Sequence, residues 1–309
     1  MQLISKIKEE LFFARKMIQY RYGPRGWYRY IKNKFFPVFL TRRVQPISIP
    51  VNCDFEWHIM TPKRGLWMTY WAISSFLYQS NLCPKIIVHD DGTIDEATAR
   101  MFESKFSNVK ILRRLDADKF FDTTSNIPNI IKRARKSKCF FILTFLDHFF
   151  LSNSSKVMIT DNDVLFFGKP QEIIDFMLGA SKIDAMYFVG EGEGRNALPV
   201  DSLYKKKYAD ILYDAARLNS GLIIFNKSKI KLESMVEYFE HATDFDHHLI
   251  EQSGWGMILS QIPHAFFPEA TYKFRGGVEF PVIFKHFTSP RRHEMFAYGI
   301  DKVRQQINS

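Results

Sequence analysis

From about residue 54 the chain alternates short β-rich runs with helix-period segments, a pattern that allows little besides a mostly parallel central sheet flanked by helices. EWHIM at 56–60, KIIVH at 85–89, VKIL at 109–112, KVMIT at 156–160, AMYFV at 185–189 and GLIIF at 221–225 read as strands. Segments 66–79 and 94–106 between them, and 231–242 and 248–260 after them, read as helices, and CFFILTFLDHFFL at 139–151 as a buried core helix that carries Asp147 and His148. No internal repeat or linker interrupts the chain after residue 50, so the expected organisation is a basic amphipathic extension over 1–50 and one α/β domain over 51–309, with the boundary near Pro46 to Pro50.

The net charge of +10 belongs almost wholly to the extension, because residues 1–43 hold eleven Lys or Arg against Glu9 and Glu10. Leu3, Ile4, Ile7, Leu11 and Phe12 recur there at near-helical spacing, followed by Trp27, Tyr28, Tyr30, Phe35 and Phe36. Two readings stay open. Residues 1–43 lie on an anionic membrane surface, or they form amphipathic helix packed on its own domain with the basic face in water. No nucleic-acid module accompanies the charge, so no nucleic-acid partner is expected. No apolar run reaches spanning length, the start MQLISKIKEE lacks a secretory core, and Cys53, Cys83 and Cys139 have neither disulfide nor zinc spacing. A cytoplasmic location follows, at most peripheral on the cytoplasmic membrane face.

Ligands of open α/β sheets bind beyond the carboxyl ends of the strands. Two acidic pairs stand there, Asp90-Asp91 after the second run and Asp161/Asp163 after KVMIT, and they are expected to share one crevice. In an extended Asp-x-Asp the two carboxylates point the same way, so both reach one hard cation, Mg²⁺ or Mn²⁺. Such an ion neutralises charge growing on a departing diphosphate. The Gly190–Arg195 run GEGEGR carries glutamates that repel phosphate and reads as a loop near the acceptor. Trp255 reads as core sooner than as a sugar platform, and Asp246-His247-His248 as a solvated helix start.

KVMITDNDVLFFGKP resembles the metal-binding segment of GT-A-fold, Rossmann-like glycosyltransferases, and later pieces follow in the order of the retaining galactosyltransferase/glycogenin-type family. The resemblance covers roughly 55–300. It implies that Asn219-Ser220-Gly221 lines the sugar pocket, that Glu251-Gln252 lies near the anomeric carbon, and that His286 is the third metal ligand. It also puts the His286–Arg292 element, HFTSPRR, on the diphosphate; Ser289 stands where that family has Gly and Arg292 where it has Lys. HDDGT at 89–93 is similar instead to the second-strand acidic turn of inverting GT-A enzymes, which implies that Asp90 and Asp91 contact the nucleotide, and Thr144 occupies the approximate place of an upstream basic residue.

An imidazole beside two carboxylates tilts the expected ion from Mg²⁺ to Mn²⁺. Arg291 and Arg292 suit forked bonds to phosphate. Glu251 fits a base for the acceptor hydroxyl in an inverting reaction, Gln252 a support for the sugar in a retaining one, and both also fit an ordinary helix start. The resulting expectation is a hexosyltransferase-like enzyme of polysaccharide biosynthesis, moving a sugar from a nucleoside-diphosphate donor, UDP favoured, to a carbohydrate or lipid-linked hydroxyl. A haloacid-dehalogenase-type phosphatase and a non-catalytic GT-A-fold binding protein are the alternatives.

Overall fold

The computed structural model describes residues 2–36, 53–190, 198–279 and 281–308. The expected boundary near Pro46 to Pro50, and the GEGEGR run beyond Gly190, lie outside the described residues. Strands β1 (Glu56–Thr61), β2 (Lys85–Asp90), β3 (Val109–Leu112), β4 (Lys156–Thr160), β6 (Ala185–Val189), β7 (Leu218–Asn226) and β8 (His264–Phe266) form one sheet in the order β3-β2-β1-β4-β7-β6-β8. β3, β2, β1 and β4 run parallel, β7 is antiparallel to β4 and β6, and β8 is parallel to β6. The expected α/β sheet is therefore present, with one reversed strand beside the Asp-x-Asp.

The continuous apolar runs follow from burial on both faces. In β4, Met158 packs into one core with the helix Leu66–Ser80, while Val157 and Ile159 pack into the other with the helices Phe141–Phe150 and Ile250–Leu259. β7 repeats this, sending Leu222 and Ile224 to the first core and Ile223 and Phe225 to the second. The helix 141–150 is buried as expected, and Arg135 bonds Asp147 through Nε and Nη2 at 2.6 and 3.0 Å. Trp255 is core, its ring 4.6 Å from Phe145 and 5.0 Å from Phe225. Asp246 Oδ1 accepts from the backbone N–H groups of Lys138 and Cys139, so it ties two loops together.

A second sheet, β5 (Val164–Phe166), β10 (Phe284–His286) and β9 (Tyr272–Lys273), has the order β5-β10-β9. β10 runs antiparallel to β5 in a register that sets His286 opposite Val164, and Phe287 N–H donates to Asp163 O at 2.8 Å. This pairing carries the tail of the chain back to the Asp-x-Asp.

Behind β1 and β2 the core holds three fully buried histidines. His58 Nδ1 lies 2.8 Å from His89 Nε2, and the His148 ring sits 4.6 Å from that of His89. Among the described residues neither ring nitrogen of His148, nor Nδ1 of His89, has a hydrogen-bond partner. Burial holds all three below the ordinary imidazole range, so they fold as neutral rings. A depressed folded pKa gives stability that is complete above the unfolded value of about 6.5 and lost below it. Compared with His148→Leu, in which the other ionisations are shared, the parent is expected to lose thermal midpoint more steeply as pH drops under about 6.5; equal slopes in melting curves of the two would remove His148 as a cause.

Two helices precede the sheet, α1 (Gln2–Gln19) and α2 (Pro24–Phe35). Phe13, Met17 and Tyr30 are buried against the domain, Asn33 donates to Phe296 O at 2.8 Å and Arg29 pairs with Asp301 at 3.2 Å. The extension thus packs on the C-terminal helices. Among the described residues no helix is long and apolar enough to cross a membrane.

Candidate metal centre

β4 ends at Thr160, and the next three residues turn across the carboxyl end of the sheet. Asn162 points towards β1, its amide donating to Thr61 Oγ1 at 2.7 Å, which leaves Asp161 and Asp163 on the other side. Gly65 permits this, since a Cβ there would stand 2.4 Å from the Asn162 amide nitrogen. Asp163 is buried, whereas the Asp161 side chain is 45% exposed, so the pair has one fixed and one accessible carboxylate.

His286 completes the cluster. Its Nε2 lies 3.1 Å from Asp161 Oδ2 and 3.2 Å from Asp163 Oδ1, and ligand atoms of the three residues all fall within 4.8 Å of one another. Burial opposes its charge, but the two carboxylates outweigh that and push its pKa up to about 9. Burial likewise opposes the charge of Asp163, while Arg292 and His286 bring it down to about 2. An imidazolium wedged between two carboxylates is an arrangement that a divalent cation can replace, and two hard oxygens with one imidazole suit Mn²⁺ or Mg²⁺.

The imidazole is oriented from behind. Asn219 Oδ1 lies 3.0 Å from His286 Nδ1 and also accepts the Gly221 N–H at 2.9 Å. A Nδ1–H donated to Asn219 leaves the Nε2 lone pair facing the carboxylates once the second proton is gone. Gly221 is the floor on which the ring rests, since a Cβ there would stand 2.2 Å from His286 Nδ1. Asn219, expected at the sugar, therefore serves His286 directly. Asn219→Ala is expected to weaken Mn²⁺ binding about 10–100-fold with little change in thermal midpoint; unchanged affinity in a paramagnetic-resonance titration would show that the bond orients nothing.

The remaining expected residues fall at graded distances. Ser220 hydrogen-bonds Glu251, which is buried and which Asp161 also opposes, so burial and that charge push its carboxyl up to about 8. Burial and the Asp161 charge thus favour the protonated carboxyl, while the Ser220 hydrogen bond favours the carboxylate. Gln252 follows on the same helix, half-buried. Arg292 forks onto Asp163 Oδ2 through Nε at 2.9 Å and Nη2 at 2.7 Å instead of standing free, Arg291 pairs with Glu294 at 3.2 Å, and Ser289 opens the exposed turn before them. The turn is anchored by Lys285, a fully buried ammonium 2.8 Å from Glu294 Oε2.

Asp90 reaches the same sheet edge, level with Thr61 of β1, and β1 in turn pairs with β4. Two strand spacings, about 10 Å, separate its strand from β4. Its Oδ1 accepts from the N–H groups of Gly92 and Ile94 and its Oδ2 from Arg113 Nε at 3.1 Å, so Asp90 shapes the loop. Asp91 caps Thr93 N–H at 3.0 Å and remains half-exposed. Thr144 bonds its own helix at Phe141 O. Arg113 and Asn162 had no signal in the sequence, because each acts through a partner on a neighbouring strand, and Lys285 had none because its partner Glu294 sits nine residues on in a separate helix.

No protein-family model and no curated protein matches this sequence. Among solved structures, mouse xyloside xylosyltransferase 1 in its apo form matches with a TM-score of 0.51 at 12% identity, over 77% of this chain and 99% of that one. The chain has a GT-A glycosyltransferase fold. Galactosyltransferase LgtC, solved with donor and acceptor sugar analogs, aligns at a TM-score of 0.49 and 14% identity over 82% of this chain and 95% of its own. Core-mannan synthase A of Aspergillus fumigatus, in an Mn/GDP form, aligns at 0.45 and 12% over 75% and 79%. With this GT-A sheet the haloacid-dehalogenase alternative falls away.

Proposed function

We propose that this GT-A chain is a metal-dependent glycosyltransferase of the cytoplasm that moves a sugar from a nucleoside-diphosphate sugar, UDP favoured, to a hydroxyl of a carbohydrate or lipid-linked acceptor in polysaccharide biosynthesis. The observation that carries this reading is the meeting of Asp161, Asp163 and His286 at the carboxyl edge of the sheet, where such folds bind ligands. These three residues would hold Mn²⁺ or Mg²⁺, which when bound supplies positive charge to the departing diphosphate. Arg291, Arg292 and Ser289 border that diphosphate, and the half-exposed Asp91 lies on the nucleotide side. Glu251 and Gln252 face the sugar, with Ser220 steadying Glu251.

A cleft of about 380 Å³, lined by Val189, Glu269, Ala270, Tyr272, Lys273 and Phe274, adjoins the centre, and the Phe274 ring is 6.0 Å from that of His286. That volume suits a sugar-sized ligand, and we assign it to the acceptor. Thermal stabilisation by UDP-, GDP-, CMP- and dTDP-sugars tests the reading, because a ligand of the native state raises the midpoint. One donor class is expected to stabilise with Mn²⁺ and not without it. No stabilisation by any of them, or the same shift with and without the ion, would count against metal-dependent transfer and favour a fold kept only for binding.

A further inference from the structure

The extension uses one face of each helix for the domain and leaves a second apolar stripe outside. On α1, Phe13 and Met17 face inwards, while Ile7, Leu11 and Ile18, spaced by four and seven residues, are 51%, 56% and 68% exposed. On α2, Tyr30 and Asn33 face inwards, while Tyr28, Ile31 and Phe35, spaced by three and four, are 66%, 45% and 53% exposed. Exposed Lys8 and Arg15 flank the first stripe, and exposed Arg25 and half-buried Lys32 the second. Both acidic residues are spent elsewhere: Glu10 pairs with Lys34 at 2.6 Å and accepts from Tyr30 Oη at 2.8 Å, and Glu9 is near enough to support the charge of Arg292.

We propose that these two stripes are a docking face for an anionic lipid surface. A bilayer takes up exposed aliphatic and aromatic side chains and pairs the flanking ammonium and guanidinium groups with its phosphates. A second copy would bring like charges together, and a nucleic acid would leave the apolar stripes in water. Packing on the domain and lying on a membrane, which the sequence presents as alternatives, are thus the two faces of the same helices.

The face is tied to the candidate metal centre. The rings of Phe13, Tyr20 and Tyr22 lie 5.9, 5.8 and 5.7 Å from that of His293, next in the chain to the Arg292 that holds Asp163. About one helix diameter, 10 Å, therefore separates the docking face from the turn that borders the centre.

The test uses the full chain and vesicles of phosphatidylcholine, alone or mixed with phosphatidylglycerol. The chain is expected to sediment with the anionic vesicles and to be released by salt. A variant with Leu11→Glu, Ile18→Glu, Ile31→Glu and Phe35→Glu should bind roughly a hundredfold more weakly at an unchanged thermal midpoint. Should that variant fail to fold, Lys8→Gln, Arg15→Gln, Arg25→Gln and Lys32→Gln together should remove the preference for phosphatidylglycerol. Failure of the full chain to bind, equal binding by the variant, or a dimer that the variant converts to monomer without any vesicle binding would overturn the proposal. Stabilisation by donor and Mn²⁺ is read separately and does not depend on the vesicle result.

Discussion

Asp163→Ala is expected to reduce metal-dependent donor hydrolysis by at least about a thousandfold, since it removes a ligand and disturbs the two residues beside it. One oxygen of Asp163 faces His286 and the other takes both hydrogen bonds of the Arg292 fork. Breaking a buried pair from one side costs about 3–5 kcal/mol, and Arg292 keeps 27% of its side-chain surface in water. The expected stability loss therefore falls at or just below the bottom of that range, about 2–3 kcal/mol. Asp163→Asn keeps the shape and should lose hydrolysis nearly as completely at a smaller cost in midpoint. Hydrolysis within tenfold of the parent in either variant, assayed with Mn²⁺, would mean that the carboxylate is not a ligand.

Gly221→Ala should be nearly as damaging although it changes no functional group. The added carbon would stand 2.2 Å from His286 Nδ1, 2.6 Å from Cε1 and 2.8 Å from Cγ. The ring has no room to retreat, because β10 is held in register on β5 and the rings of Phe188 and Phe274 lie 6.3 and 6.0 Å from it. Overpacking of this kind costs about 1–3 kcal/mol. Mn²⁺ affinity should fall further than in Asn219→Ala, since the whole imidazole moves instead of losing one hydrogen bond. A variant with parental midpoint and parental Mn²⁺ affinity would show that the backbone yields there.

The parts of this architecture that were legible in the sequence are those set by local periodicity. β4 and β7 read correctly because a strand covered on both faces must be apolar at every position, whereas Asp161 and Asp163 are brought together by a turn past the strand end and not by the alternation of an extended strand. Ends were harder. The helix expected over 94–106 spans Glu96–Glu103, starting where Asp95 accepts from Thr98 N–H, and β7 begins at Leu218, which draws Asn219 and Ser220 into the strand. The small sheet was not legible, because β5 and β10 are three residues each and their pairing spans more than a hundred positions. The resemblance brought His286 to the aspartates, but not the means, which is that sheet together with Asn219 and Gly221. Arg292 on Asp163 and Asp90 on its own loop were equally hidden, since a charge pattern does not say which partner a side chain will take.

A titration of Mn²⁺ into the full chain, followed by paramagnetic resonance, bears most directly on the metal centre. The parent should bind one ion, and the variant with Asp161, Asp163 and His286 all changed to alanine should bind none while keeping its far-ultraviolet circular dichroism. Binding of Mn²⁺ by that variant as tightly as by the parent, or no binding by the parent at all, would contradict a cation held by these three side chains.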